Sequence, residues 1–389
     1  MEAPIVSEEE ELYWLALRLT PGLGARAAGR LLARFRSPQA IFRASRSELE
    51  AAGANGAAAQ SVASGCAFED AAAERQKMRE VGAVAIPIDD PRYPQLLKEI
   101  FDPPILLYAR GRVELLGSIM LGVVGTRRPT PYGSAVAERL AGDLSRAGLT
   151  IVSGMARGID SVAHKGVLAA GGCTVAVLGC GVDVVYPQEN RKLALDLAAK
   201  GLILSEFPMG AVAFPQNFPI RNRIISGMST GVLVVEGAQY SGSSITAKLA
   251  IEQGREVFAV PGNITSKASW GPNLLIKQGA KLVQDWNDVI VELPAPVRRQ
   301  LIEHGRDRLL GGAPTTEGRQ APLLEGDGEL GEVARKLLEK LKVDSAQHLD
   351  ELLEAMEPVS ASEIIAALFE LEMLGMAKQL PGKNFVKVW

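Results

Sequence analysis

The sequence predicts an α/β protein: an extended Rossmann-like parallel sheet flanked by a small helical N-terminal domain and a C-terminal winged helix. Three observations carry this. Between residues 119 and 290, short β-branched apolar runs alternate with helix-length segments. Ahead of them, residues 8–65 have apolar positions at helical spacing. Behind them, residues 330–389 read as three amphipathic helices followed by a hairpin. The expected boundaries are 1–80 for the helical domain, 81–292 for the sheet domain, 293–329 for a linker and 330–389 for the winged helix.

In chain order, Glu9 to Leu19 and Ala25 to Phe35 form two helices joined by Thr20-Pro-Gly-Leu-Gly24, a helix-hairpin-helix pattern. Arg26, Arg30 and Arg34 are four apart and share one helix face, which reads either as a solvated face or as a contact for a nucleic-acid backbone. Gly22-Leu-Gly24-Ala-Arg-Ala27 matches a loose dinucleotide fingerprint, but it follows a helix rather than a strand, so that reading fails its context. Residues 69–82 continue as helix. Ala83–Ile88, with Pro87, and Pro103–Tyr108 read as one or two edge strands added to the main sheet.

The main strands are expected at Ile119–Val124, Leu149–Val152, Thr174–Leu178, Leu202–Leu204, Val232–Val235 and Glu256–Val260. Each is apolar on both faces, as strands covered by helices on both sides are. Crossover helices are expected over Tyr132–Ala147 and Ser161–Ala170. The loops after the strands open at the carboxyl edge of such a sheet, where ligands bind. They are rich in Gly and Ser, whose backbone N–H groups approach anions, and Arg127, Arg128 and Arg157 add charge to the same edge. That pattern points to phosphate. Phe214–Ile225 combines two aromatics, arginines, asparagines and prolines ahead of a helix. It reads equally as a stacking surface with cations for a single strand or as a structural loop.

Residues 294–329 are rich in Pro, Gly and Thr and read as a linker with a short helix at 297–309. The winged helix is expected from helices at Glu332–Leu341, Ser345–Met356 and Ser360–Leu374 and a hairpin over Met376–Val388. Its last helix carries three Glu and no Lys or Arg, so phosphate repulsion argues against insertion in a DNA groove and for a protein contact. Lys378, Lys383 and Lys387 keep a DNA reading of the hairpin open.

Formal net charge is −3, so the whole chain is not basic, but its charge is uneven. Residues 120–290 hold 16 Lys or Arg against 12 Asp or Glu, whereas residues 291–389 hold 12 against 17. Cys66, Cys173 and Cys180 make no disulfide framework, and with His164, His304 and His348 they form no metal-ligand spacing. No apolar run approaches ~18 residues and the N-terminus is acidic, so a soluble cytoplasmic protein without a membrane association is expected. The chain has no P-loop, H-E-x-x-H or G-x-S-x-G motif. Asp160, Glu206 and Glu236 lie near strand ends, either as bases or, the favoured reading, as partners of Arg127, Arg157, Arg221 or Arg223. The edge reads as built to hold anions rather than transform them, with no cofactor, metal or catalytic residue.

Six segments in order resemble the DNA-processing protein A (DprA/Smf) family. They are Val123-Val-Gly-Thr-Arg127, Ile151–Asp160 with His164, Val177–Asp183 with Tyr186-Pro187, Phe218–Gly227, Val234–Glu236 with Ser241–Ala247, and Val257–Gly262. The resemblance implies a non-catalytic protein that binds single-stranded DNA, works as a homodimer through its Rossmann domain, protects incoming strands in natural transformation and helps load the RecA recombinase. It also implies a phosphate pocket on Gly125, Thr126 and Arg127 with Ser153, Gly154, Arg157 and Gly158. Arg221, Asn222 and Arg223 border that pocket, as do Ser241, Gly242 and Ser243; Phe218 is the stacking candidate, and Lys248 is placed to reach a backbone phosphate. The same loops are also similar to nucleotide phosphoribohydrolases, but the loop from Gly237 to Ala247 lacks the glutamate those enzymes carry there.

Overall fold

The structure is a computed structural model that describes residues 7–239, 241–301, 331–342, 347–373, 376–380 and 383–387. It falls into two compact units, Met1–Leu282 and Val283–Trp389. The first begins with six helices: α1 (Glu8–Leu19), α2 (Ala25–Phe35), α3 (Pro38–Arg43), α4 (Arg46–Ala51), α5 (Gly56–Ser64) and α6 (Phe68–Val81). Helix α1 starts where the sequence requires. The Ser7 hydroxyl accepts from Glu10 N while the Glu10 carboxylate accepts from Ser7 N, and four glutamates sit in the first turn against the positive end of the helix dipole.

Nine strands follow: β1 (Ala83–Pro87), β2 (Leu106–Gly111), β3 (Met120–Val124), β4 (Thr150–Ser153), β5 (Thr174–Leu178), β6 (Leu202–Ser205), β7 (Gly231–Val234), β8 (Glu256–Ala259) and β9 (Lys281–Leu282). Their spatial order is β1-β2-β6-β5-β4-β3-β7-β8-β9. The pairs β1/β2 and β2/β6 are antiparallel, and β6 through β9 are parallel. The chain winds outward from β3 to β6, returns to β7 beside β3, and winds outward again. The two directions part between β3 and β7, the position where open α/β sheets bind ligands. The helices between are α7 (Gln95–Lys98), α8 (Pro131–Arg146), α9 (Ile159–Ala169), α10 (Arg191–Lys200), α11 (Asn217–Gly227), α12 (Gly242–Glu252) and α13 (Trp270–Lys277).

Alternate strand residues serve two cores, as the period of two demands. Val175 and Val177 face one with Leu204, Ile224 and Val234. Ala176 and Leu178 face the other, where they join Trp14, Leu31 and Met78 of the N-terminal helices. Those helices therefore share a hydrophobic core with the sheet. Two differences from the sequence reading matter for the site. Helix starts at Asn217, so Phe218 and the Arg221-Asn222-Arg223 run lie within α11 rather than in a loop before it. Strand β9 is only two residues long, too short to leave a periodic signal.

The second unit contains helices at Glu332–Lys340, Leu349–Ala355 and Ala361–Met373 and a three-stranded sheet. The expected hairpin is present as Ala377–Leu380 paired with Asn384–Lys387. A third strand, Gln347–His348, adds to it and displaces the start of the middle helix to Leu349. The last helix buries Ile364, Ala367, Leu368 and Leu371. Most of the expected linker, and His304 with it, lies outside the described residues.

Candidate nucleic-acid interface

The loops after β3 and β4 are laced together by glycines. Gly158 has φ +77°, and a Cβ there would run into Thr126 O and the Arg127 backbone. The next residue, Ile159, donates its N–H to Thr126 O at 3.1 Å. A Cβ on Gly154 would collide with the Arg221 guanidinium. Only glycine allows this approach at either position.

A buried polar layer lies beneath the edge. The Asp160 carboxylate accepts from Gly154 N (3.2 Å) and Ala156 N (3.4 Å). Burial raises its pKa against the lowering charge of Arg221. The anion-binding backbone of this loop is thus turned onto a carboxylate of the chain itself. The Ser153 hydroxyl donates to Val123 O at 2.6 Å. Arg221 is buried and donates to Val177 O, and burial pulls its pKa down. His164 Nδ1 lies 2.7 Å from the Thr174 hydroxyl, and burial, with Arg221 nearby, lowers its pKa to about 3.

Above that layer the edge is exposed, cationic and aromatic. Arg127 Cζ lies 5.2 Å from the Phe218 ring centroid, and Phe218 in turn meets the Tyr186 ring at 5.5 Å and 32°. The three border a cavity of about 50 Å³ whose other walls include Gly154, Arg157, Gly179 and Pro187. Since one water needs about 10–15 Å³ of such space, this cavity takes a few waters or one phosphate, not a nucleoside. Arg127 has no carboxylate within ion-pair distance among the described residues. Arg157 pairs with Glu189 at 2.9 Å, with both side chains more than half exposed. Such a pair is weak and exchanges readily for another anion.

The expected carboxylate partners sort differently. Glu206 holds Arg223 through two hydrogen bonds of 2.7 and 2.8 Å, and Asp102 lies 3.2 Å from Arg223 Nε. Glu236 instead accepts from Thr130 N (2.9 Å) and the Thr130 hydroxyl (2.6 Å), tying the β7 loop to the start of α8. Arg221, Asn222 and Arg223 are all buried, so these side chains build the floor and walls instead of meeting solvent. Arg223 lines a different cavity, on the side of the N-terminal hairpin. At the start of α12, the Ser241 hydroxyl is 2.7 Å from the Ser243 hydroxyl, Gly242 is exposed and Ser243 is buried. Lys248 is exposed and lies 3.9 Å from Glu252. Arg128 is exposed, Thr126 is half-buried with its hydroxyl accepting from Arg128 N, and Gly125 packs against Ile159.

The family described as DNA recombination-mediator protein A matches residues 84–294, more than half of the chain. The chain belongs to that family. Its DprA winged helix domain matches residues 322–383. Protein Smf of Synechocystis sp. is 39% identical over 76% of this chain and 78% of its own length. DNA processing protein DprA of Bacillus subtilis is 47% identical over 56% of this chain and 73% of its own. Among solved structures, DNA processing protein A from Streptococcus pneumoniae superposes with a TM-score of 0.65 at 35% identity, covering 76% of this chain and 99% of that one. The protein of the same name from Helicobacter pylori, described for its single-stranded-DNA binding mode, gives 0.50 at 29% identity over 57% and 96%.

In this member of the family Arg127, Arg157 and Phe218 are legible in the sequence as candidate residues, whereas Tyr186 and Glu189 are not among them. An aromatic residue beside a proline in a strand-end turn was the available signal for Tyr186. Nothing local marks Glu189, which reaches Arg157 from the next loop over. Among the described residues no helix is long and apolar enough to cross a membrane.

Proposed function

We propose that the chain is a single-stranded-DNA-binding mediator protein of natural transformation, which protects incoming strands and loads the RecA recombinase. The observation that carries the DNA reading is the Arg127–Phe218–Tyr186 layer above a phosphate-sized cavity, with Arg157 beside it. A guanidinium over an aromatic ring offers a stacking surface for any base and a cation for the backbone, a combination that suits single strands. Duplex DNA keeps its bases stacked inside and offers such a surface nothing to grip. The site residues we assign to direct contact are Arg127, Arg128, Arg157 and Phe218, with Gly125, Thr126, Gly158, Ser241, Gly242 and Lys248 along the same edge.

Membership of a recombination-mediator family supports the roles in transformation and RecA loading, in a cytoplasmic homodimer joined through the sheet domain. We infer a binding protein rather than an enzyme. Small-molecule sites run to about 300–1,000 Å³, and the cavity under Phe218 is far smaller than a phosphoribohydrolase needs to enclose its nucleotide.

The test is fluorescence anisotropy of a labelled oligo-dT and of its duplex across a salt series, with wild type and Arg127→Ala. Expected are a preference for the single strand, a steep salt dependence, and a loss of about 1–3 kcal/mol in the variant, the range for a hydrogen bond to a charged group. Binding indifferent to Arg127 in a folded variant would remove that residue from the site. Release of adenine from AMP by the purified protein would replace this reading with the hydrolase one. RecA nucleation on single strands, with and without the protein, tests the loading role.

A further inference from the structure

A second, larger cavity of about 510 Å³ opens between the α1–α2 hairpin and the sheet. Its walls include Arg18 and Arg26 from the hairpin, Phe207 after β6, and Ile220 and Arg223 from α11. In a helix, residues three apart share a side and residues two apart point to opposite sides. Phe218 therefore faces the first cavity while Ile220 and Arg223 face the second, and the two cavities flank the first turns of one helix. A helix is about 10 Å across, so an extended strand of a few nucleotides spans both.

The far rim of this groove repeats the arrangement seen at Phe218. Arg26 Cζ lies 4.2 Å from the ring centroid of Phe101. Phe101 is 81% exposed, so it contributes little to the core. The chain that joins the two cavities carries Val212, Phe214 and Ile220, all exposed. Charge at the groove is not symmetric in its availability. Arg223 is held by Glu206 and Asp102, and Arg18 donates to the Glu206 carbonyl at 2.7 and 3.1 Å. Arg26 has no carboxylate partner among the described residues, which leaves it as the cation for an incoming anion.

We propose that this groove is a second subsite for single-stranded nucleic acid. A base stacks at the Arg26–Phe101 pair, and the strand crosses the exposed 212–220 segment to reach Phe218. The proposal rests on the reading of the first site as a single-strand contact and lengthens it. Exposed aromatics and an arginine without a carboxylate partner among the described residues suit splayed bases with a charged backbone. Strand-tracking modules occupy about 4–16 nucleotides, more than the small first cavity accounts for.

The experiment compares oligo-dT of about six and about twenty nucleotides, a spread chosen to span that range. The proteins are wild type, Arg26→Ala/Phe101→Ala and Arg127→Ala. All three are checked for an unchanged urea midpoint, and Arg26→Glu serves as a second groove variant that removes no ring. Because both groove residues are exposed, neither change disturbs the core. The expected result is that the groove variants bind the long oligonucleotide about tenfold more weakly, as loss of a stacked base does, and the short one unchanged. Arg127→Ala weakens both lengths. Groove variants that match wild type on the long strand, while Arg127→Ala does not, overturn the second subsite and leave the first intact. Equal weakening of both lengths by the groove variants also overturns it, because the change then acts on the first site. If Arg127→Ala binds both lengths normally and the groove variants do not, the groove is the strand site and the reading of the first cavity fails.

Discussion

Replacing Glu206 by Gln removes one charge from a buried ion network without changing its shape. Glu206 and Arg223 have side chains 7% and 8% exposed, and they meet through two hydrogen bonds. Removing one partner of a buried pair costs about 3–5 kcal/mol, because the remaining charge is stranded out of water. Here Asp102 remains 3.2 Å from Arg223 Nε, and at 34% exposure it is partly screened by solvent. Gln also keeps an acceptor for one guanidinium N–H. The lower end, about 3 kcal/mol, follows. Urea unfolding of the variant at unchanged slope measures it directly. The reasoning makes a second, sharper demand. Glu206→Gln/Arg223→Met leaves only the Asp102 carboxylate, which at 34% exposure is solvated, and fills the space with an apolar chain, so the double variant is more stable than the single by about 1–3 kcal/mol. A single variant within about 0.5 kcal/mol of wild type, the range of an ordinary surface change, would refute the argument. So would a double variant less stable than the single.

Three further substitutions test other positions, two in the buried layer under the edge and one on α2. Gly154→Ala places a methyl on the Arg221 guanidinium, which Val177 O holds in place; stability falls by about 1–3 kcal/mol in thermal melts. Gly29→Ala in α2 meets nothing within 4 Å and instead stabilises by about 0.5–1 kcal/mol, since alanine loses less backbone freedom in a helix. His164 titrates near 6.5 when unfolded and near 3 when folded. The unfolded chain therefore binds the extra proton between those values, and the stability that neutral His164 confers is complete above 6.5 and is lost as pH falls towards 3. The difference between wild type and His164→Gln should change by roughly 1.4 kcal/mol per pH unit in that window. A pH-independent difference would show that the ring is not held neutral.

Much of the fold was legible because helix and strand periods are local. The six main strands were marked by runs apolar on both faces, and the hairpin glycines marked the first two N-terminal helices. The site was legible only in part. Arg127, Arg157 and Phe218 stood out by residue type, and the structure gathers them at one cavity. Arg221 and Arg223 also stood out by type, yet burial assigns them to the layer below and to the opposite side of α11. One helical turn separates surface from floor, and composition does not record which side of a helix faces solvent when both sides are covered. Glu236 was expected to meet an arginine and meets Thr130 instead. That pairing depends on β3 lying next to β7, a topological fact that neither segment carries alone.

Asp160 gives the proposed preference for a strand over a nucleotide a physical basis. In many sheets of this type the backbone N–H groups after a strand, together with the following helix N-terminus, hold a phosphate. Here Gly154 N and Ala156 N are already given to the Asp160 carboxylate in the first turn of α9. A phosphate entering that loop would have to displace a buried anion and leave its charge beside another. Anions are thus kept out of the floor and meet the side chains of the rim, Arg127 and Arg157. Side-chain cations on a rim bind a repeating backbone without requiring a chain end or a fixed base. The same carboxylate that stabilises the turn thus occupies the place of a mononucleotide's phosphate and leaves the rim cations for the proposed strand.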